Sequence, residues 1–296
     1  MKIQSIMLAG VLLLALSCSH QAEVDNQETT ATVRVHVNDF SFSHENFPSA
    51  TTRADDNNPK SYGDVKAVDI AIFAGSEKVY AATQLKADES TYTTFGEFEC
   101  RLEKGDYTMV AVARNMTAGD VFTITSPTQA AYTTERARET FCGTQSIKVD
   151  GTKAVDVNPL LDRVMAKFQL VSTDKVLADA KTIRTTYSAG SKSFNPTTGL
   201  ATDDNGFVVT NSVKPLDNGT LDVYSILFLP AEEKTMDITI EVLDKNDQVL
   251  ISKYLPDVHF RLNQVTKATG AVFTPGLTTL TFTLNTTWLP EEEYTF

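Results

Sequence analysis

Apolar and polar residues alternate with a period of two through most of the chain after residue 31, as strands with one buried face require. In TVRVHVNDFSF (32–42), Val33, Val35 and Val37 point one way, while Arg34, His36 and Asn38 point the other. Residues 49–64, SATTRADDNNPKSYGD, replace the alternation with turn-forming and charged residues and predict an exposed loop. The pattern resumes in VKAVDIAIFAG (65–75), with Val68, Ile70 and Ile72 on one face. YTTFGEFECRL and GDYTMVAVARN read as two further strands joined by a turn at Glu103-Lys104-Gly105.

One helix is predicted in this half. Ser126 supplies an N-cap, Pro127 the first helical position and Gln129 a capping-box partner. Ala130, Ala131, Glu135 and Arg136 extend it to about Arg138, and Gly143 ends it.

A second unit is expected to open near Asp150-Gly151. LLDRVMAKFQLVS (160–172) is strand-like at its apolar end, and residues 189–206 form a long Gly/Ser/Asn/Asp loop. LDVYSILFLP and TMDITIEVLD are strands, the latter paired with QVLISKYL across a Lys245-Asn246 hairpin turn. TTLTFTLNTTW places Leu280, Phe282 and Leu284 on one face of a last strand. These elements predict an all-β protein of two tandem antiparallel β-sandwich domains of immunoglobulin or transthyretin type, at 32–152 and 153–296.

The amino terminus has a different design. Lys2 precedes an apolar run, Ile6 to Leu16, that is too short to cross a bilayer as a helix, and small residues follow it. Residues 1–17 read as a secretory signal. Cys18 directly after them resembles a lipobox cysteine, whose thiol carries diacylglycerol once the signal is removed. Residues 18–31 are polar and acidic, a flexible tether behind that lipid.

Composition narrows the partners. The formal net charge of −12 argues against nucleic acid and against a basic patch docking on anionic lipid. Cys100 and Cys142 form an even pair in an exported chain, compatible with one disulfide or with two buried free thiols.

Catalytic spacing is missing. There are four histidines, no HExxH, no GxSxG and no phosphate-cradling glycine loop. His36, His44 and His259 read as solvated or locally hydrogen-bonded imidazoles, and His20 falls in the tether. Glu291, Glu292 and Glu293 read as a solvated charge run. Asp203-Asp204-Asn205-Gly206 has calcium-loop composition but lacks the twelve-residue register and the closing glutamate. Trp288 and the nine tyrosines could form a glycan-stacking platform, but a lone Trp at the end of a final strand reads more simply as core. No enzyme, metal or cofactor is expected, apart from covalent lipid at Cys18.

Four stretches, in order, resemble the fimbrillin superfamily of Bacteroidota, the lipoprotein-derived subunits and anchors of type V pili. The first is Cys18 with its polar tether. The second is VKAVDIAIFAG with EKGDYTMVAVARN, similar to the family's strand pair around a G-x-Y turn. The third is FCGTQSIKV followed by LLDRVMAKFQLV, similar to the passage between domains. The fourth is DVHFRLNQVTKATGAVF, in which Leu262 separates an arginine and an asparagine that are adjacent in the family.

This resemblance implies an outer-membrane lipoprotein on the cell surface that contacts other pilus subunits. In such pili a trypsin-like protease removes a subunit's first strand, and a neighbour fills the opened groove with an extended segment by strand addition. Arg53, followed by Ala54 in the polar loop, is the matching cleavage candidate. An uncut chain would keep its lipid and its first strand and act as an anchor or assembly subunit. A surface glycan-binding lipoprotein is the alternative.

Overall fold

The structure is a computed structural model that describes residues 30–37, 39–41, 65–134, 136–276 and 280–285. Among these residues there is no α-helix, and the one helical turn is a 3-10 turn at Glu89–Thr91. The chain begins with β1 (Thr30–His36), β2 (Asp39–Ser41), β3 (Ala67–Ala74), β4 (Glu77–Leu85) and β5 (Glu97–Glu103). It continues with β6 (Gly105–Arg114), β7 (Phe122–Ser126), β8 (Gln129–Tyr132), β9 (Thr140–Val149), β10 (Val155–Val157) and β11 (Leu160–Arg163). The second half holds β12 (Ala166–Ser172), β13 (Thr182–Tyr187), β14 (Ser193–Phe194), β15 (Phe207–Ser212) and β16 (Asp222–Leu227). It ends with β17 (Glu233–Leu243), β18 (Val249–Arg261), β19 (Val265–Gly270) and β20 (Leu280–Asn285).

Two sandwiches result, as the alternation predicts. The first stacks a three-stranded sheet, β10-β1-β5, on a six-stranded sheet, β2-β11-β9-β6-β3-β4. The second stacks β16-β12-β19-β20 on β15-β13-β17-β18. Their cores follow from alternate side chains turning inward. Val33, Val35, Val68, Ile70, Ile72, Met109 and Phe141 meet in the first, and Phe168, Ile183, Tyr187, Ile238, Ile240 and Phe260 in the second.

The six-stranded sheet is covered on both faces, which the one-face reading of β3 misses. Val68, Ile70 and Ile72 face the first core, while Ala71 and Phe73 face a third apolar cluster together with Val110, Val112, Phe194, Ile226 and Phe228. That cluster joins the sandwiches. A small sheet, β14-β8-β7, bridges them, with β14 from the second half paired to β8 from the first. Over it lie four rings: Phe122 to Tyr132 at 4.9 Å, Phe122 to Phe194 at 6.3 Å, Phe194 to Phe228 at 4.5 Å and Tyr132 to Phe228 at 6.3 Å.

Three expectations need correction. The helix over Ser126–Arg138 is a hairpin: β7 and β8 pair antiparallel, with Ser126 opposite Gln129. Ser126 Oγ does receive an N–H, but from Thr128 at 3.2 Å, so it closes a tight turn instead of starting a helix. Ile124, Ala130 and Tyr132 are then free to alternate into the third cluster. Gly143 lies inside β9, where a Cβ would sit 2.1 Å from the Leu160 carbonyl oxygen, so glycine permits the close approach of β11. The change of sandwich falls later than the expected 152/153 boundary. β10 pairs with β1, and β11 with β2 and β9, so residues 155–163 belong to the first sandwich. The connection is Val164-Met165, both buried.

The Lys245-Asn246 hairpin is present. β17 and β18 pair antiparallel around it, Asp247 takes a φ of 60°, and the Asp244 N–H donates to the Gln248 carbonyl at 3.0 Å.

Candidate functional site

β1 is the middle strand of its sheet. It runs antiparallel to β5 from Thr30↔Glu103 to His36↔Glu97 and parallel to β10 from Val33↔Val155 to Val35↔Val157. Ala31, Val33, Val35 and Val37 are each at most 1% exposed. Val33 lies opposite Cys100 and Val155, and Val35 opposite Phe98 and Val157. Complete burial of a valine contributes about 1.5–3 kcal/mol. The inward face of β1 therefore fills a sealed apolar trough.

The outward face has a different chemistry. Arg34 Nε lies 3.3 Å from Glu99 and its Nη1 lies 3.8 Å from Asp156. His36 Nδ1 meets the Glu97 carboxylate, and its Nε2 lies 3.6 Å from Asp156. Alternation places both bases on the same face of β1, and the two flanking strands present acids to them.

The rim of the trough is fastened independently of β1. Gln84, buried on β4, donates from Nε2 to the Glu97 carbonyl at 2.6 Å and accepts the Gly96 N–H at 2.7 Å. This amide ties the edge of the six-stranded sheet to the start of β5. Gly96 has a φ of 86°, and a Cβ there would meet the Val37 carbonyl oxygen at 2.9 Å. The Val37 N–H donates to the Gly96 carbonyl at 2.9 Å and closes the end of the trough.

The residues singled out from the sequence fall as follows. Cys18, Arg53 and Ala54 lie outside the described residues, as do His20, His44, Trp288 and Glu291 to Glu293. Of the two alternatives for the cysteines, the structure has the second: Cys100 and Cys142 are both free thiols. Cys100 faces the first core from β5, whereas Cys142 faces the third cluster on the far side of the six-stranded sheet, so the sheet separates them. Burial pushes the Cys100 thiol up to about 11, with Glu99 adding to the effect. Burial, aided by Asp162, raises Cys142 further. Neither thiol has the lowered pKa that a nucleophile needs.

Asp203 and Asp204 hold their own loop together. Asp203 accepts the Ser191 and Ser193 hydroxyls at 2.9 and 3.1 Å, and Asp204 accepts the Gly190 N–H at 2.8 Å and pairs with Lys234. Among the described residues no three His, Cys, Asp or Glu side chains are grouped to hold a metal. His259 lies 3.7 Å from Glu233 in a solvated cross-strand pair. Sequence reasoning missed Glu97, Glu99 and Asp156. Their signal is the pairing partner of each base, which requires the strand register.

A family model described as "Family of unknown function (DUF6562)" matches residues 23–292. No curated protein matches the chain. The solved structure of the fimbrial anchor protein Mfa2 from Porphyromonas gingivalis is similar, with a TM-score of 0.50 and 12% identity over 86% of this chain and 97% of that one. A candidate adhesin from Bacteroides ovatus is similar as well, with a TM-score of 0.50 and 12% identity over 84% of this chain and 88% of that one. At this identity the likeness is one of fold.

Proposed function

We propose that this chain, which belongs to the DUF6562 family, is a non-enzymatic surface-pilus subunit of the anchor or minor kind that joins its neighbours by strand addition. The carrying observation is β1. It is a self-contained insert, paired on both sides, and residues 42–64, with Arg53 among them, separate it from β3. A cut after Arg53 would sever β1 and β2 from the body. The main-chain groups of β5 and β10 and the apolar trough would then be open to an incoming strand. Left uncut, β1 remains seated and the chain ends a polymer. Cys18 is the proposed lipid attachment site and would hold the protein on the outer membrane at the cell surface, because two or three acyl chains give stable anchoring. The fold shared with a fimbrial anchor protein and a candidate adhesin supports this reading.

Intact-mass analysis of protein purified from its own cells tests the proposal. The expected chain starts at a lipidated Cys18, the anchor form, or at Ala54, the processed form. A start at any other residue overturns both.

A further inference from the structure

β1 already shows what the slot selects. It lies between two strands whose solvent-facing side chains are acidic where its own are basic. Glu99 and Asp156 approach Arg34, and Glu97 and Asp156 approach His36. On the opposite face the residues are alanine and valine, at most 1% exposed and packed into the first core. If β1 left, the slot would keep an apolar floor and, along its rails, Glu97, Glu99 and Asp156 where Arg34 and His36 now lie, with Arg101 and Glu103 farther along beside Thr32 and Thr30. Like charges facing each other across paired strands are unfavourable, and opposite charges are favourable.

We infer that the slot is coded by charge. It accepts from another subunit a strand with alanine or β-branched side chains at the inward positions and cationic side chains at the outward positions that meet Glu97, Glu99 and Asp156. An acidic strand of equal hydrophobicity binds more weakly. This inference rests on the strand-addition reading above and adds the chemistry of the partner to it.

The test uses the full chain with a specific protease site placed within residues 49–64. After cleavage the chain is incubated in mild denaturant with a labelled peptide of residues 30–37, and capture is followed by native mass spectrometry. A second peptide carries Arg34→Glu and His36→Glu, and a third carries Val33→Asp. Changing the peptide leaves the protein itself unaltered. The expected result is capture of the first peptide, capture of the second weakened on the order of tenfold, and none of the third. The gap between the first two should narrow as salt rises from roughly 0.05 to 0.5 M. Asp156→Lys in the protein should shift preference toward the acidic peptide. Equal capture of the basic and acidic peptides overturns the charge code and leaves strand addition standing. Failure to capture any peptide, once the cleaved segment has been released, overturns strand addition and the charge code with it.

Discussion

β1 and β12 occupy the same place in their two sandwiches but are joined to the chain in opposite ways. Each has an antiparallel neighbour on one side and a parallel neighbour on the other: β5 and β10 around β1, and β16 and β19 around β12. Each turns alternate apolar residues into its core: Val33 and Val35 from β1, and Phe168 and Leu170 from β12. β12, however, follows β11 through Val164-Met165, a buried link with no room for a protease. β1 and β2 are followed by residues 42–64, whose sequence is polar and includes Arg53. On the strand-addition proposal, the connection, and not pairing or burial, sets which strand can be exchanged.

The strongest test places a charge in each trough. Val35→Asp and Leu170→Asp each strand a carboxylate in an apolar core and should cost about 4 kcal/mol or more. Hydrogen exchange should separate them. Val35→Asp is expected to deprotect the amides of β5 and β10 while β12 to β19 stay protected. Leu170→Asp is expected to lower protection throughout the second sandwich. Loss of protection across the whole chain in Val35→Asp would break the comparison.

A smaller effect is expected at the joint between the sandwiches. Phe228→Ala removes the ring stacked on Phe194 and Tyr132 and should cost about 3–5 kcal/mol. Calorimetry should then resolve two unfolding transitions in place of one. A single transition at lower temperature would mean that β14 pairing alone keeps the halves coupled.

The smallest effect belongs to Asp204 in the second half. Burial pushes its pKa up, but the hydrogen bonds from Lys234 and the Gly190 N–H outweigh that and lower it. A folded value below the unfolded one gives stabilisation that is complete above the usual carboxylate range and is lost as pH falls through the folded value. The group is partly exposed, so the amount is under about 1 kcal/mol. Unfolding midpoints from pH 6 to pH 3 should fall less steeply in Asp204→Asn than in the native chain, with the seat of β1 unaffected.

Most strands were legible because each sandwich core takes every second residue. Val33, Val35 and Val37 show this directly, and so do the β17–β18 hairpin and its turn. The hairpin of β7 and β8 was hidden because Ser126-Pro127 is also good helix-start chemistry, and the choice was made by Phe194 and Phe228 from the other half of the chain. The parallel partnership of β1 with β10 spans more than a hundred residues and leaves no local trace. Without that register, Arg34 and His36 look like ordinary solvated bases, and the three acids beside them cannot be picked out. The choice between a Cys100–Cys142 disulfide and two free thiols stayed open for a related reason: strand parity fixes the face of each cysteine, but not which sheet lies between them.

The setting of β1 also has a mechanical consequence. A pull on residue 30 along the strand acts nearly at right angles to the hydrogen bonds that hold β1 to β5, so those bonds share the load instead of parting one at a time. The bridging sheet and its stacked rings then carry that load into the second sandwich without a loose hinge. While its far end remains attached, β1 is thus placed to act as a shear clamp.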